Sequence, residues 1–171
     1  MKKFELTAEF VTNVFGKKLF RIKALVAFGN VEKGELGGFI EKEDNLSHDG
    51  DAWVSGNAQV FGNARVSGDA WVYGNAQVYG NAQVFGNAQV SGNAQVFGNA
   101  DYATVAGFGR YSRTTTFFRC KDKILRVQCG CFYGDLAQFR EIVKKTHGDS
   151  KYAKEYLAIA DLMELHFSDE C

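Results

Sequence analysis

Gly50-Asp-Ala-Trp-Val-Ser-Gly56-Asn-Ala-Gln-Val-Phe-Gly62-Asn-Ala-Arg-Val-Ser67 opens a run that keeps a six-residue rhythm to about Asp101, nine hexads of the form Gly-(Asn/Asp)-Ala-x-Val-x. Within Ala-x-Val the period is two, so alanine and valine share one side and the residues flanking valine share the other, as in a strand. Gly-Asn supplies the corner, because both residues enter the left-handed region more readily than most. A unit this short cannot bury its small apolar side alone. Successive units must wind and stack, which predicts a β-solenoid.

The run resembles the hexapeptide-repeat, left-handed parallel β-helix family, in which an aliphatic residue and a small residue four positions on face inward and three hexads make a triangular coil. Val60 with Ala64 and Val78 with Ala82 stand in that relation. The family usually carries glycine directly after the aliphatic residue; here Ser55, Phe61, Ser67, Tyr73, Tyr79, Phe85, Ser91 and Phe97 stand there. Three hexads per coil would stack residues eighteen apart at the strand spacing of about 4.8 Å. One wall then aligns Phe61, Tyr79 and Phe97 in an outward aromatic ladder beside Gln59, Gln77 and Gln95. A second carries Trp53, Trp71 and Tyr73, and the third Phe85. A contiguous outward aromatic strip marks a surface that meets another molecule, although ring ladders also stabilise neighbouring strands.

The 171 residues make one solenoid with caps: an N-terminal β cap over 1–37, the repeat over 38–103, and a C-terminal β-hairpin with two helices over 104–171. Net charge is zero but unevenly placed, about −5 over 38–101 and about +5 over 102–134. No apolar run reaches the roughly 18 residues of a membrane span and Met1-Lys-Lys-Phe-Glu5 lacks a signal-peptide stretch, so a cytoplasmic protein without membrane contact is expected. Cys120, Cys129, Cys131 and Cys171 read as buried reduced thiols, because their spacing suits neither a disulfide nor zinc. No metal or cofactor is expected.

In the N-terminal cap, strands are expected over Phe4–Leu6, 10–15 and 19–25. Counting back by sixes starts the coil near Gly38, puts Ile40 and Leu46 on the alanine track and His48 on the valine track. Tyr102 is too large for the valine column and should end the stacking. Residues 111–120 and 123–129 read as a hairpin with Phe118, Leu125 and Val127 on one side and Arg119 and Arg126 on the other. Asp135 with Gln138 predicts a capped helix burying Leu136, Phe139, Ile142 and Val143, ending at His147-Gly148. A second helix is predicted from Ser150 to about Phe167. The segments Leu19–Leu25, Gly37–Ser47 and Cys129–Asp149 resemble small proteins encoded by bacteriophages and prophages, a resemblance that spans nearly the whole chain and implies phage origin with no defined reaction.

Hexapeptide-repeat acyltransferases use a histidine as general base, and none of His48, His147 and His166 lies between Gly50 and Asp101, so no catalytic residue is assigned and acyl transfer stands only as the enzymatic alternative. Arg110, Arg113, Arg119, Lys121, Lys123 and Arg126, interleaved with aromatic rings, form a candidate basic patch for nucleic acid, a weaker alternative to a solvated hairpin face. The expected function is binding without catalysis, through Phe61, Tyr79 and Phe97, then Trp53, Trp71, Tyr73 and Phe85. The expected partner is a second copy of the chain, for instance in a trimer, or a host protein such as an antiphage defence factor. A virion or assembly component is the alternative within this class.

Overall fold

The computed structural model describes residues 1–168. In chain order it contains β1 (Phe4–Thr12), β2 (Lys18–Ala24), β3 (Leu36–Ile40), then eight two-residue strands β4 (Trp53–Val54), β5 (Gln59–Val60), β6 (Arg65–Val66), β7 (Trp71–Val72), β8 (Gln77–Val78), β9 (Gln83–Val84), β10 (Gln89–Val90) and β11 (Gln95–Val96). There follow β12 (Tyr102–Phe108), β13 (Arg113–Arg119), β14 (Leu125–Cys129), β15 (Phe132–Asp135), α1 (Leu136–His147) and α2 (Lys151–His166). The fold is a parallel β-solenoid, followed by an antiparallel sheet and two helices.

The eighteen-residue period holds. Gln59 pairs in parallel with Gln77 and Gln77 with Gln95, Trp53 with Trp71 and Trp71 with Gln89, and Arg65 with Gln83. Every repeat alanine from Ala52 to Ala94 and every repeat valine from Val54 to Val96 is buried, so the interior is a column of small side chains. The corner glycines from Gly50 to Gly92 all have φ between +62° and +70°. The corners from Gly50 to Gly74 also stack on the corner eighteen residues on: a Cβ on Gly68 would lie 3.0 Å from the Gly86 nitrogen.

The first turn departs from the count by sixes. Ile40 pairs with Val60 and Leu46 bridges to Val66, an offset of twenty. Two extra residues before Gly50 therefore move Ile40 and Leu46 from the expected alanine track to the valine track, and His48 falls off the interior column altogether. Its ring stacks on Phe4, with centroids 4.3 Å apart; Nδ1 accepts the Lys3 N–H at 3.1 Å and Nε2 lies 2.7 Å from a Glu43 carboxylate oxygen.

Both open edges of the coil are closed by specific groups, as unpaired strand edges require. At the first edge the buried Asn45 amide donates to the carbonyls of Gly62 (3.2 Å) and Ala64 (2.8 Å), and the Lys3 ammonium to those of Gly50 (3.2 Å) and Ala52 (2.7 Å). At the far edge Tyr102, which begins β12, donates its hydroxyl to the Gln83 carbonyl. The Gln89 N–H donates to the Thr116 hydroxyl at 3.1 Å, and Asp101 accepts from the N–H groups of Phe97 and Gly98. The stacking ends at Tyr102, as its size predicts.

The N-terminal hairpin does more than cap an end. β1 pairs antiparallel with β2 and β2 with β3, which joins β5, β8 and β11, so one wall of the coil continues into a six-stranded sheet. Gly37 and Gly38 lie flat on the coil; a Cβ on Gly37 would sit 2.7 Å from the Trp53 ring.

The C-terminal sheet runs β12-β13-β14-β15. Its register pairs Phe117 with Val127, Phe118 with Arg126 and Arg119 with Leu125, which corrects the expected sides. Phe118 belongs to the core of the coil, whereas Phe117, Val127 and Leu125 face the helices. Helix α1 starts at Asp135, whose side chain accepts the Gln138 N–H, and ends at Gly148 with φ +57°. It buries Phe139 and Val143 but leaves Ile142 exposed, another departure from the expected face. Helix α2 starts after the Ser150 cap and buries Ala153, Tyr156, Ile159, Ala160 and Met163. No helix among the described residues is long and apolar enough to cross a membrane.

Candidate binding surfaces on the solenoid

The aromatic ladder exists, but the N-terminal hairpin covers its first rung. Phe61 and Tyr79 stack with centroids 5.0 Å apart and planes 4° from parallel, and Phe97 meets Tyr79 edge-on at 5.3 Å. Phe61 is only 4% exposed because it packs with Leu19 and Phe39 under β2 and β3. Phe15, at the hairpin tip, lies 5.9 Å from Phe61 and 6.0 Å from Tyr79. Phe61 is therefore a packing residue and not a docking residue. What remains open is Phe97, 62% exposed, with half-buried Tyr79 and the hairpin tip at Val14 and Phe15. Phe85, on another wall, is exposed.

Trp53 is corrected in the same way. It is fully buried: the loop after β2 folds back through a Phe28–Val31 bridge and sets the Phe28 ring edge-on to the indole at 5.3 Å. That loop stops one rung short of Trp71. The result is a groove of about 530 Å³ lined by Trp71, Tyr73, Asp51, Asp69, Asn87 and Gln89, with Gly29 and Asn30 on the loop side and Ser55 below. Its volume falls within the usual range for ligand sites. Trp71 and Tyr73 are half-buried, and Asp51 and Asp69 are exposed. The two aspartates are tied in register, since the Asp51 N–H donates to the Asp69 carboxylate at 3.1 Å.

No basic side chain lines this groove. Lys3 lies behind it, buried and turned to the carbonyls of Gly50 and Ala52, with Phe28 4.5 Å beneath its ammonium. Burial pulls this ammonium down to about 8, against the opposing pull of Asp51, Asp49 and Asp69. Asp51 and Asp69 are the charged side chains that line it, so the groove itself is negative. Aspartate replaces asparagine at the corner only at 51 and 69, eighteen residues apart and each two before a tryptophan. That coincidence is the signal by which the groove could have been found.

The candidate basic patch does not form one surface. Arg126 makes a two-pronged pair with Asp122, both contacts at 2.8 Å, which holds the Asp122 carboxyl down at about 2. Arg119 lies 3.5 Å from Asp101 and donates to the Phe167 carbonyl at 3.0 Å. Lys121 and Lys123 occupy the β13–β14 turn beside Phe97. Arg110 and Arg113 are at the other end of β13, about 20 Å away at about 3.3 Å per residue, with guanidinium carbons 5.6 Å and 4.9 Å from the Tyr111 ring.

The thiols of Cys120, Cys129 and Cys131 are free; Cys120 is buried, Cys129 half-buried and Cys131 exposed, so only the first fits the expected buried reading. Cys171 lies outside the described residues. Among the described residues no group of three His, Cys, Asp or Glu side chains is placed to hold a metal ion.

Comparison with known families agrees with this architecture. Residues 58–74 and 76–92 match the YdcK beta solenoid repeat. The two matched stretches lie end to end along the coil, each nearly one eighteen-residue turn, and leave both caps outside the match. No curated protein matches the chain.

Proposed function

We propose that this β-solenoid protein acts by binding, without catalysis, and that its partner is a protein presenting a lysine or arginine side chain to the Trp71–Tyr73 groove. The observation that carries this reading is an open aromatic platform flanked by two carboxylates with no basic side chain in the lining. A cation over an indole gains about 0.5–2 kcal/mol from the ring quadrupole, and the neighbouring carboxylates add charge-assisted hydrogen bonds. The rigid wall holds these groups in register before the partner arrives, which lowers the ordering cost of association. The engagement of both His48 nitrogens with Lys3 and Glu43 supports a non-catalytic role. The phage-like flanks favour a cytoplasmic factor of the bacterial host as the partner, one whose action the protein blocks.

The test is calorimetric titration of the full chain with a hexa-arginine peptide at low salt. Saturable binding that weakens at least tenfold in Trp71→Ala and in Asp69→Asn supports the proposal. Equal binding by Trp71→Ala overturns it.

Self-association is a second reading, favoured by the apolar tip formed by Val14 (91% exposed), Phe15 (60%) and Phe97. A surface of this kind commonly meets another chain. Sedimentation equilibrium that gives an oligomer for the native chain and a monomer for Phe15→Ser/Phe97→Ser supports it. A native monomer at high concentration rules it out.

A further inference from the structure

We propose that the face of the C-terminal sheet turned away from the coil holds a second site, for a small organic anion with an apolar body. Between the β12–β13 turn, the β14–β15 turn and helix α1 lies a cavity of about 230 Å³, below the range typical of drug-sized ligands, so its occupant is small. Its floor is apolar and well ordered by packing. Phe139 meets Phe132 at 5.8 Å and Tyr156 edge-on at 5.8 Å, and Val143 is buried beside them. Burial pushes the Tyr156 phenol up to about 12, with Cys129 adding to the shift.

The mouth is cationic. Arg110 and Arg113 flank the exposed Tyr111 ring, and neither has an ion-pair partner among the described residues. Arg113 crosses above Gly130, whose φ of +58° and missing side chain leave room for the guanidinium. No carboxylate lines the cavity. Glu155, next to Tyr156 in the chain, accepts the Gly109 N–H at 3.0 Å and lies 4.0 Å from the Lys151 ammonium, so its carboxylate is engaged by the turn and by Lys151. Two unpaired guanidinium groups above an apolar floor match a carboxylate or phosphate on a hydrocarbon chain or ring, because guanidinium binds both oxyanions through paired hydrogen bonds. This site shares no residue with the Trp71 groove.

The experiment is calorimetric titration of the full chain with decanoate in one arm and phenyl phosphate in the other, with decanol and benzyl alcohol as uncharged controls. The expected result is one-to-one binding of at least one anion, at least tenfold tighter than its alcohol. Preference for decanoate identifies an aliphatic carboxylate as the ligand class, and preference for phenyl phosphate an aromatic phosphate. Arg110→Gln/Arg113→Gln should weaken binding at least tenfold with unchanged circular dichroism. Ile142→Trp, which narrows the mouth and leaves both charges, is the second variant and should do the same. Absence of binding by both anions, equal binding of the alcohols, or native affinity in both variants overturns the proposal.

Discussion

Alanine placed at successive corner glycines should cost different amounts according to what lies above each corner. Gly80 and Gly86 have φ +64° and +65°, so the left-handed conformation costs alanine the same at both, about 1–2 kcal/mol. A stiffer unfolded chain returns about 0.4–1 kcal/mol at both. The surroundings differ. A methyl on Gly86 meets open space, because the coil has ended above it, whereas one on Gly80 runs into the Phe97 carbonyl. Relieving a backbone clash in a packed stack adds about 1–3 kcal/mol. Gly86→Ala should therefore lower stability by about 1 kcal/mol and Gly80→Ala by about 2–4 kcal/mol, with Gly68→Ala between them, its added carbon 3.0 Å from the Gly86 nitrogen. Urea unfolding followed by circular dichroism reads the series, a difference of about 1–3 kcal/mol giving a midpoint shift of about 1 M. Equal midpoints for the Gly80 and Gly86 variants would refute the stacking of corners.

The rungs of the aromatic ladder should separate in the same assay: Phe61→Ala should cost about 3–5 kcal/mol by opening the pocket under β2 and β3, and Phe97→Ala within about 0.5 kcal/mol. Lys3→Met leaves the carbonyls of Gly50 and Ala52 without their donor and should cost about 1–3 kcal/mol. The Lys3 ammonium titrates near 8 when folded and near its ordinary 10.5 when unfolded. Between those values the unfolded chain holds the extra proton, so stability attributable to Lys3 should rise with pH across that window. A native-minus-Lys3→Met stability difference that is flat from pH 8 to 10.5 contradicts this assignment.

The period of the repeat made the coil legible, since glycine, alanine and valine columns leave one way to bury so little apolar surface per unit. Wall membership followed from it by arithmetic. The departures arise where non-local contacts decide. Two residues before Gly50 break the count, and nothing in their identity marks them as an insertion until Ile40 and Leu46 find Val60 and Val66. Phe61 and Trp53 do project outward from the prism, but the hairpin tip and the Phe28 loop fold back over them. Phe117 and Phe118 are adjacent apolar residues on a strand buried on both faces, so alternation alone could not say which side meets the coil. The basic residues of β13 and β14 are close in sequence, yet the strand carries them to opposite ends, where Asp122 and Asp101 occupy Arg126 and Arg119.

The chain has two tryptophans, and their contrast tests the central claim, that the solenoid hides one and offers the other in a negative groove. Fluorescence quenching by caesium and by iodide in Trp71→Phe and in Trp53→Phe reads each indole alone. The account predicts that Trp53 resists both ions and that Trp71 is quenched more by caesium, drawn in by Asp51 and Asp69, than by iodide. Equal access to both indoles, or stronger quenching of Trp71 by iodide, would contradict it.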